Sequence, residues 1–153
     1  MSLNISEQYD KIYRYCYLRV KNRETAEDLT QETFLRYLEH PQYHGIDKTL
    51  HLLYTIAGNL CMDHFRKHPA SEITDDIPSD ENIEDKILTS FSLQQALGRL
   101  SPQDREIILL RYINDVPVNV IGKLYGMSRF AAGRRIKKIL EVLHNDLGKE
   151  ELQ

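Results

Sequence analysis

Six cationic side chains lie between Asp115 and Glu141 with no acidic residue among them. They are Lys123, Arg129, Arg134, Arg135, Lys137 and Lys138. The same segment has a helix–turn–helix pattern, because a short apolar stretch ends at Tyr125, Gly126 permits a left-handed turn, and Ser128 can cap a following helix. Cations on the exposed face of the second helix of such a motif can bind phosphates and base edges in the DNA major groove. The pattern predicts DNA binding, and the alternative is a helical hairpin with a solvated basic face.

The two helices of this motif can cross closely because Gly122 is small, and Ile121 and Met127 are expected to fill the space between them. The apolar face of the second helix is predicted to consist of Ala132, Ile136, Ile139 and Leu143. Opposite that face we expect Arg129, Phe130, Gly133, Arg134 and Lys137. Arg135 lies nearer the apolar face, so it either anchors a phosphate or braces the domain.

A second candidate site is a polar stripe in and just before the segment AEDLTQETFLRYLEH, residues 26–40. At helical spacing one face carries Glu24, Asp28, Gln31, Glu32 and Leu35. An acidic face with a protruding leucine can dock on a basic protein partner. The alternative is a solvated helix face, which periodicity alone favours.

Cysteine and histidine side chains form the one pattern that could bind a metal. Cys61, His64 and His68 recur at helical spacing, and His40 and His44 could lie near them, so the spacing permits a zinc site. We do not expect one, because no closed Cys/His set is evident and His64 continues an apolar stripe. The sequence also lacks a Gly-rich phosphate loop, a nucleophile elbow and an H-E-x-x-H helix. It therefore predicts no enzyme activity, no metal and no cofactor.

Length and composition limit the classes of protein to consider. The chain has 153 residues, of which 41% are hydrophobic and 28% charged, which suits one ordinary globular domain or two very small ones. Its longest uncharged stretch, residues 49–62, has 14 residues, fewer than the ~20 needed to span a bilayer. No secretory signal is visible at the N-terminus, so we expect a cytoplasmic protein with no membrane insertion. Cys16 and Cys61 are expected to be reduced core thiols.

The net charge of −3 is unevenly distributed along the chain. Residues 1–70 have a net charge of 0, residues 71–90 of −6, and residues 91–153 of +3. The middle segment has few large apolar residues, so it cannot bury enough surface to offset its ordering entropy. We therefore expect a helical domain over 1–70, an acidic linker over 71–86 and a second helical domain over 87–149.

Apolar residues recur at helical spacing and no β-alternation persists, so we expect an all-α fold of two small helical domains. The first helix is predicted to end at about Val20, and Asn22 is expected to cap a second helix that ends before Pro41. The apolar stripe of this second helix is predicted to contain Ala26, Leu29, Thr33, Tyr37 and Leu38.

Residues 41–49 contain Pro and Gly and are expected to form a loop. A third helix is predicted from Leu50 to His68, because the proline that follows disfavours helical geometry in the residue before it. Helical periodicity resumes at Ile87, and another helix is expected to start after Ser101, with proline at its first position.

Three segments in this order resemble a bacterial RNA polymerase sigma factor of the extracytoplasmic-function (ECF) group. They are AEDLTQETFLRYLEH, LLYTIAGNLCMDHFRK and ALGRLSPQDREIILLRYINDVPVNVIGKLYGMSRFAAGRRIKKIL, with the acidic segment between the second and the third. The resemblance covers nearly the whole chain in the right order and spacing, so it is far more specific than a lone helix–turn–helix. It implies a non-catalytic alternative sigma factor whose partners are core RNA polymerase and promoter DNA, with an anti-sigma protein as a further candidate partner.

The resemblance also implies a role for each domain. In the family the N-terminal domain docks an acidic helix on the clamp helices of the largest polymerase subunit and opens the minus-ten promoter element, while the C-terminal domain reads the minus-thirty-five element. The implied polymerase-binding residues are Asp28, Leu29, Gln31, Glu32 and Leu35. The implied minus-ten residues are Tyr43, His44, Asn59, Asp63, Arg66 and Lys67. The implied minus-thirty-five residues are Ser128, Arg129, Phe130, Arg134, Arg135, Lys137 and Lys138.

The chain departs from the family pattern at five positions. Leu52 stands where the family usually has Trp, Gly58 where it has Arg, and Pro117 at the cap of the first helix of the helix–turn–helix. Ala131 and Gly133 stand where Thr and Lys are frequent. These departures concern the promoter sequence that is read and the strength of strand opening, not the architecture.

A free-standing helix–turn–helix repressor or phage-type regulator is the alternative function. Its N-terminal domain would serve oligomerisation or ligand sensing, and it would bind duplex DNA without polymerase. The sequence leaves the regulon, the activating signal and the oligomeric state open.

Overall fold

The structure, a computed structural model, describes residues 4–39, 45–69 and 91–151. The chain divides into two compact units, Met1–Pro78 and Ser79–Gln153. Within the described ranges all regular structure is α-helical, which confirms the predicted all-α class. The predicted linker lies outside the described residues, so its boundaries stay a prediction. None of the described helices is long and apolar enough to cross a membrane.

The first unit contains the helices α1 (Ile5–Val20), α2 (Arg23–Leu38) and α3 (Ile46–Lys67). The Asn22 side chain caps α2 as predicted, because its oxygen accepts a hydrogen bond of 2.9 Å from the backbone N–H of Thr25. The prediction that residues 41–49 form a loop is wrong for the last four of them. Gly45 is the N-cap of α3, and the Thr49 N–H donates to the Gly45 carbonyl at 3.0 Å, so the first turn of α3 precedes Leu50.

The three helices of the first unit pack against one another around an apolar core. Its most deeply buried members include Ile12, Cys16, Ala26, Leu53, Tyr54, Ala57 and Cys61. Two buried threonines of α2 satisfy their own hydroxyls, since Thr30 donates to the Ala26 carbonyl and Thr33 to the Leu29 carbonyl, each at 2.7 Å. Cys16 and Cys61 are both buried, and no disulfide joins them. A hydrogen bond with the Cys61 thiol, together with burial, raises the pKa of Cys16 far above its ordinary value, so its thiol stays protonated.

The second unit contains α4 (Phe91–Arg99), α5 (Pro102–Tyr112), α6 (Val118–Leu124) and α7 (Arg129–Glu151). The Ser101 hydroxyl caps α5 as predicted, accepting from the Asp104 N–H at 3.1 Å. The long α7 packs against the three shorter helices. The core beneath it includes Ala96, Ile107, Val120, Ile121, Ala132 and Ile139.

Polar contacts between helices brace the second unit at its surface. The guanidinium of Arg105 donates to the carbonyls of Leu97 and Leu100 at 3.1 and 3.3 Å, which satisfies acceptors at the end of α4. Arg99 forms an ion pair of 3.4 Å with Asp146 and so ties α4 to α7. These contacts join α4 to α5 and to the C-terminal half of α7.

Candidate functional site

The turn between α6 and α7 has the geometry that the sequence predicts for a helix–turn–helix. Gly126 has a φ of +72°, the left-handed region in which glycine is favoured. A Cβ atom at Gly122 would lie 2.6 Å from the Met127 carbonyl oxygen, so the space beside Gly122 is filled by turn backbone. The Ser128 hydroxyl accepts from the Ala131 N–H at 3.1 Å and caps α7. The direction of α7 is thus set by local backbone contacts.

One face of α7 is buried and the opposite face is exposed, as expected. The buried side chains are Ala132, Ile136, Ile139 and Leu143. The exposed side chains of its first turns are Arg129, Phe130, Arg134, Lys137 and Lys138. Ser128 before them is also exposed, and Glu141 ends the run of cations on this face. Among the α7 side chains that the structure describes, the exposed cations therefore lie in the first three turns.

Arg135 differs from the other five cations of this segment because its charge is paired. Its Nε donates to a carboxylate oxygen of Asp104 at 2.7 Å and its Nη2 to Gln103 at 3.3 Å. Both acceptors belong to the first turn of α5, so Arg135 braces α7 on α5. The expectation that all six cations are unopposed is wrong, since the opposing acid lies 31 residues away in sequence. Among the described residues the other five form no ion pair.

A second polar contact supports the same region. The Tyr125 hydroxyl, at the end of α6, donates a hydrogen bond to Glu106 of α5. Together with the Arg135–Asp104 pair, it links both helices of the helix–turn–helix to α5. The sequence gives no signal for either pair, because neither partner lies within one helical turn of the other.

The candidate docking face on α2 combines acids with exposed leucines. Asp28 and Gln31 are exposed, and Glu32 pairs with Arg36 at 2.9 Å. Leu35 is 60% exposed. Leu29 is only half-buried, on the edge of this face.

Leu38 corrects one sequence expectation about α2. It is predicted to belong to the apolar core stripe, but it is 65% exposed. It lies three residues after Leu35, so the two leucines are neighbours on the helix surface. The candidate docking face therefore has two exposed leucines. The sequence signal for the second is its i, i+3 spacing from the first.

The second half of α3 carries the candidate minus-ten residues. Asn59, Arg66 and Lys67 are exposed, and Asp63 is half-buried and forms an ion pair with Arg66. Met62 and Phe65, which sequence reasoning missed, are 53% and 42% exposed beside them. This face is thus both cationic and apolar. Tyr43 and His44, the two other residues implied for this element, lie outside the described residues.

Gly58, one of the departures from the family pattern, is covered by side chains of α1. Arg19 donates to the Tyr15 hydroxyl oxygen at 2.5 Å, and its guanidinium lies 5.3 Å from the centre of the Tyr15 ring. A Cβ atom at Gly58 would be 3.1 Å from that hydroxyl oxygen and 3.8 Å from Arg19 Nη1. An arginine therefore stands next to position 58, supplied by α1 instead of α3.

The histidines of α3 stack on each other near its end. The His64 and His68 ring centres are 4.6 Å apart. Burial, and then the neighbouring His68, lower the pKa of His64 below its ordinary value. No group of three or more His, Cys, Asp or Glu side chains in the described part of the chain could hold a metal ion. Of the histidines considered for zinc, His40 and His44 lie outside that part.

Comparisons with known proteins match both units. Residues 5–70 match Sigma-70 region 2, and residues 96–145 match Sigma-70 region 4. The RNA polymerase sigma factor CarQ of Myxococcus xanthus is 32% identical over 149 residues, which cover 88% of this chain and 81% of CarQ.

Two further matches come from BldN. The ECF RNA polymerase sigma factor BldN of Streptomyces coelicolor is 36% identical over 157 residues, covering 92% of this chain and 59% of BldN, so the chain spans about three fifths of that relative. A chain of the solved RsbN–BldN complex is 30% identical, covers 92% of this chain and 87% of its own length, and has a TM-score of 0.34. With both sigma regions matched in order, the chain belongs to the RNA polymerase sigma factors.

Proposed function

We propose that this protein is an alternative sigma factor that binds core RNA polymerase, recognises promoter DNA and assists strand opening. It is a non-catalytic subunit and acts in the cytoplasm, where the polymerase transcribes. The observation that carries the proposal is the presence in one chain of two different exposed faces: acids with leucines on α2, and cations on α7. The first face suits a basic protein partner and the second suits DNA.

The α3 face supports a role in strand opening. Arg66 and Lys67 are exposed cations, and Met62 and Phe65 are exposed apolar groups beside them. Single-stranded nucleic acid is bound by cations that neutralise the backbone together with apolar or aromatic surfaces that contact unstacked bases. The same combination on α3 is suited to the minus-ten element once its strands have separated.

A free-standing repressor explains α7 but not the α2 face. The α2 face does not suit duplex binding, because the Asp28 carboxylate beside its two leucines, 60% and 65% exposed, repels phosphates. They also expose apolar area that a protein partner would bury. An anti-sigma protein is a further candidate partner, and we expect it to cover one of the faces that polymerase and DNA need.

A reconstitution separates the two functions. The full chain is mixed with core RNA polymerase, the complex is purified by gel filtration, and its transcription from a genomic template library is sequenced. We expect co-elution and transcripts that start downstream of a shared promoter motif. A repressor would elute without polymerase, bind duplex DNA alone and yield no transcripts above those of core enzyme.

Charge reversal tests the docking face. We expect Asp28→Lys combined with Glu32→Lys to abolish polymerase binding, because both acids are on the proposed contact face and a basic partner would be repelled. Glu32→Lys places a lysine near Arg36, and the repulsion between them should cost ~0.2–0.5 kcal/mol of stability on a helix surface. Circular dichroism checks that helicity is kept, and a pull-down measures binding.

The matched control for this experiment changes the same charge on another helix of the same unit. Glu7→Lys combined with Asp10→Lys reverses two exposed acids of α1, outside the docking face on α2. We expect this control to bind polymerase as the parent does. Loss of binding in both double variants would show that net charge matters and the face does not, and retained binding in the first would remove the assignment of Asp28.

A further inference from the structure

Phe130 is an exposed aromatic side chain in the first turn of α7. It is 66% exposed, the largest fraction among the exposed large hydrophobic side chains of the described residues. Burial of such an apolar side chain in a complex is favourable, and the free protein lacks that stabilisation. The position suggests contact with a partner that approaches the start of α7.

The surroundings of Phe130 are cationic. The Arg129 guanidinium lies 5.0 Å from the centre of the Phe130 ring, a cation–π contact. Arg134 and Lys137 follow on the same helix face, and both are exposed. A polyanion fits this charge, but it must also offer an apolar group to the ring. In the major groove of DNA the apolar group is the 5-methyl of thymine.

The position of Phe130 on the helix also fits a base contact. In a helix–turn–helix the N-terminal residues of the second helix approach the base edges. Phe130 is the second residue of α7, and one turn later Gly133 presents no side chain to the groove. Nothing lies within 4 Å of where a Cβ of Gly133 would be, so the surface beside the ring is open to an approaching base pair.

We propose that Phe130 is a specificity-determining residue that contacts the 5-methyl group of a thymine in the minus-thirty-five element. This inference rests on the proposed promoter recognition by α7 and adds the base that is read. The Arg129 guanidinium, held on the ring, provides a cation next to the apolar contact, so the pair favours a thymine that lies close to the phosphate backbone or to a guanine edge.

Selection of promoter sequences is the first test. Holoenzyme formed with the full chain selects from duplexes that are randomised in the minus-thirty-five region. We expect the wild type to enrich thymine at one position, and Phe130→Ala to lose that enrichment while the other positions keep theirs. Val142→Ala is the matched control, since Val142 is an exposed apolar residue of the same helix beyond its cationic turns, and its selected motif should equal that of the wild type.

Removal of the methyl group alone is the second test. Deoxyuridine replaces the selected thymine, and holoenzyme affinity is measured for both proteins. We expect the wild type to lose about fourfold in affinity, the value of one buried methyl group, and Phe130→Ala to lose nothing. Phe130→Leu should keep part of the sensitivity because it remains apolar.

Three outcomes overturn the inference. Equal sensitivity of wild type and Phe130→Ala to deoxyuridine would show that another group touches the methyl. Unchanged thymine enrichment in Phe130→Ala would show that the ring reads nothing. Failure of the wild-type chain to bind polymerase or to select any sequence would overturn the proposed function together with this inference, and would be recognised by that broader loss.

Discussion

At the scale of single residues, Gly122 shows most directly how sequence sets this fold. Helix interiors normally disfavour glycine, which loses more conformational entropy than alanine. Here the backbone of Met127 and Ser128 occupies the place where a side chain would be, so the turn can form only if position 122 has none. Gly133 in α7 has no such neighbour, and its glycine is not required by packing.

Two alanine substitutions should therefore act in opposite directions. We expect Gly122→Ala to destabilise the second unit by ~1–3 kcal/mol, because its Cβ overpacks the turn. Gly133→Ala should stabilise the same unit by ~0.5–1 kcal/mol, since alanine is the better helix former and meets no atom. Hydrogen exchange of the Ile121 and Ile136 amides reports the stability of this unit separately from the other. Equal effects of the two changes would contradict the steric explanation.

At the scale of the element, three cations of α7 differ in position and in contacts. Arg135 holds α7 to α5, Arg134 occupies the centre of the exposed face, and Lys137 lies one turn further along. Of these three, Arg134 and Lys137 are available to DNA without breaking an ion pair in the second unit.

Alanine substitutions should separate these tasks. We expect Arg134→Ala to weaken minus-thirty-five binding by ~1–3 kcal/mol with altered sequence preference if it reads a base. Lys137→Ala should weaken binding to all DNA sequences alike. It should also reduce the slope of log affinity against log salt by about 0.9, the value for one phosphate. Titrations on matched and scrambled duplexes measure both quantities. Identical losses on the two duplexes for both variants would mean that neither residue specifies sequence.

Arg135→Ala is expected to behave differently from both. Its pair with Asp104 is partly exposed, so its loss should cost at most ~1 kcal/mol of stability. The salt slope and the sequence preference should stay unchanged, because this guanidinium is engaged with α5. A reduced salt slope in the same titration would show that Arg135 leaves Asp104 to bind a phosphate.

The third helix has a pH dependence that follows from His64. Its pKa is lowered in the folded state, first by burial and then by His68, so the unfolded chain binds the proton more tightly. The associated stability is present above the ordinary histidine pKa of about 6.5 and is lost as pH falls through the lower folded value.

Hydrogen exchange of α3 amides should therefore show weaker protection at pH 5.5 than at pH 7.5, and His64→Phe should reduce the difference. Carboxylates do not contribute in this window, since their ordinary pKa values are about 4. The same pH dependence in His64→Phe would assign the effect to another histidine, such as His68.

At the scale of the whole molecule, each unit has its own buried core. Ile12 and Leu53 are fully buried in the first unit, and Ile107 and Ile121 in the second. A core of this kind allows a small domain to fold by itself. Units of 60–80 residues are only marginally stable, because folding buries only roughly 60% of the surface that the unfolded chain exposes.

Separate fragments should test this independence. We expect fragments 1–70 and 87–153 each to be helical and to unfold cooperatively, with far-ultraviolet spectra that add up to that of the full chain. Circular dichroism with thermal melting measures both. A fragment without a cooperative transition, or a sum that falls well below the full spectrum, would mean that its stability depends on the rest of the chain.

Local sequence patterns were enough to predict the helical class, several helix ends and the position of the helix–turn–helix. Asn22, Ser101 and Ser128 cap their helices as predicted, and Gly126 makes the turn, because each of these contacts joins residues only three or four positions apart. The assignment to the sigma factors rested on the order of whole segments and their resemblance to a family, since no single residue type carries that information. The start of α3 was missed because Gly45 suits a loop and an N-cap equally well.

The packing of the helices determines which side chains stay exposed and which brace the fold. Arg135 and Lys137 look alike in sequence, and only the packing of α7 on α5 brings Asp104 to the first of them. Leu38 continues an apolar stripe, but the packing of the three helices in its unit leaves it exposed. The side chain of Arg19 in α1 lies beside Gly58 in α3. Each of these outcomes depends on how the helices pack against one another, which local periodicity does not encode.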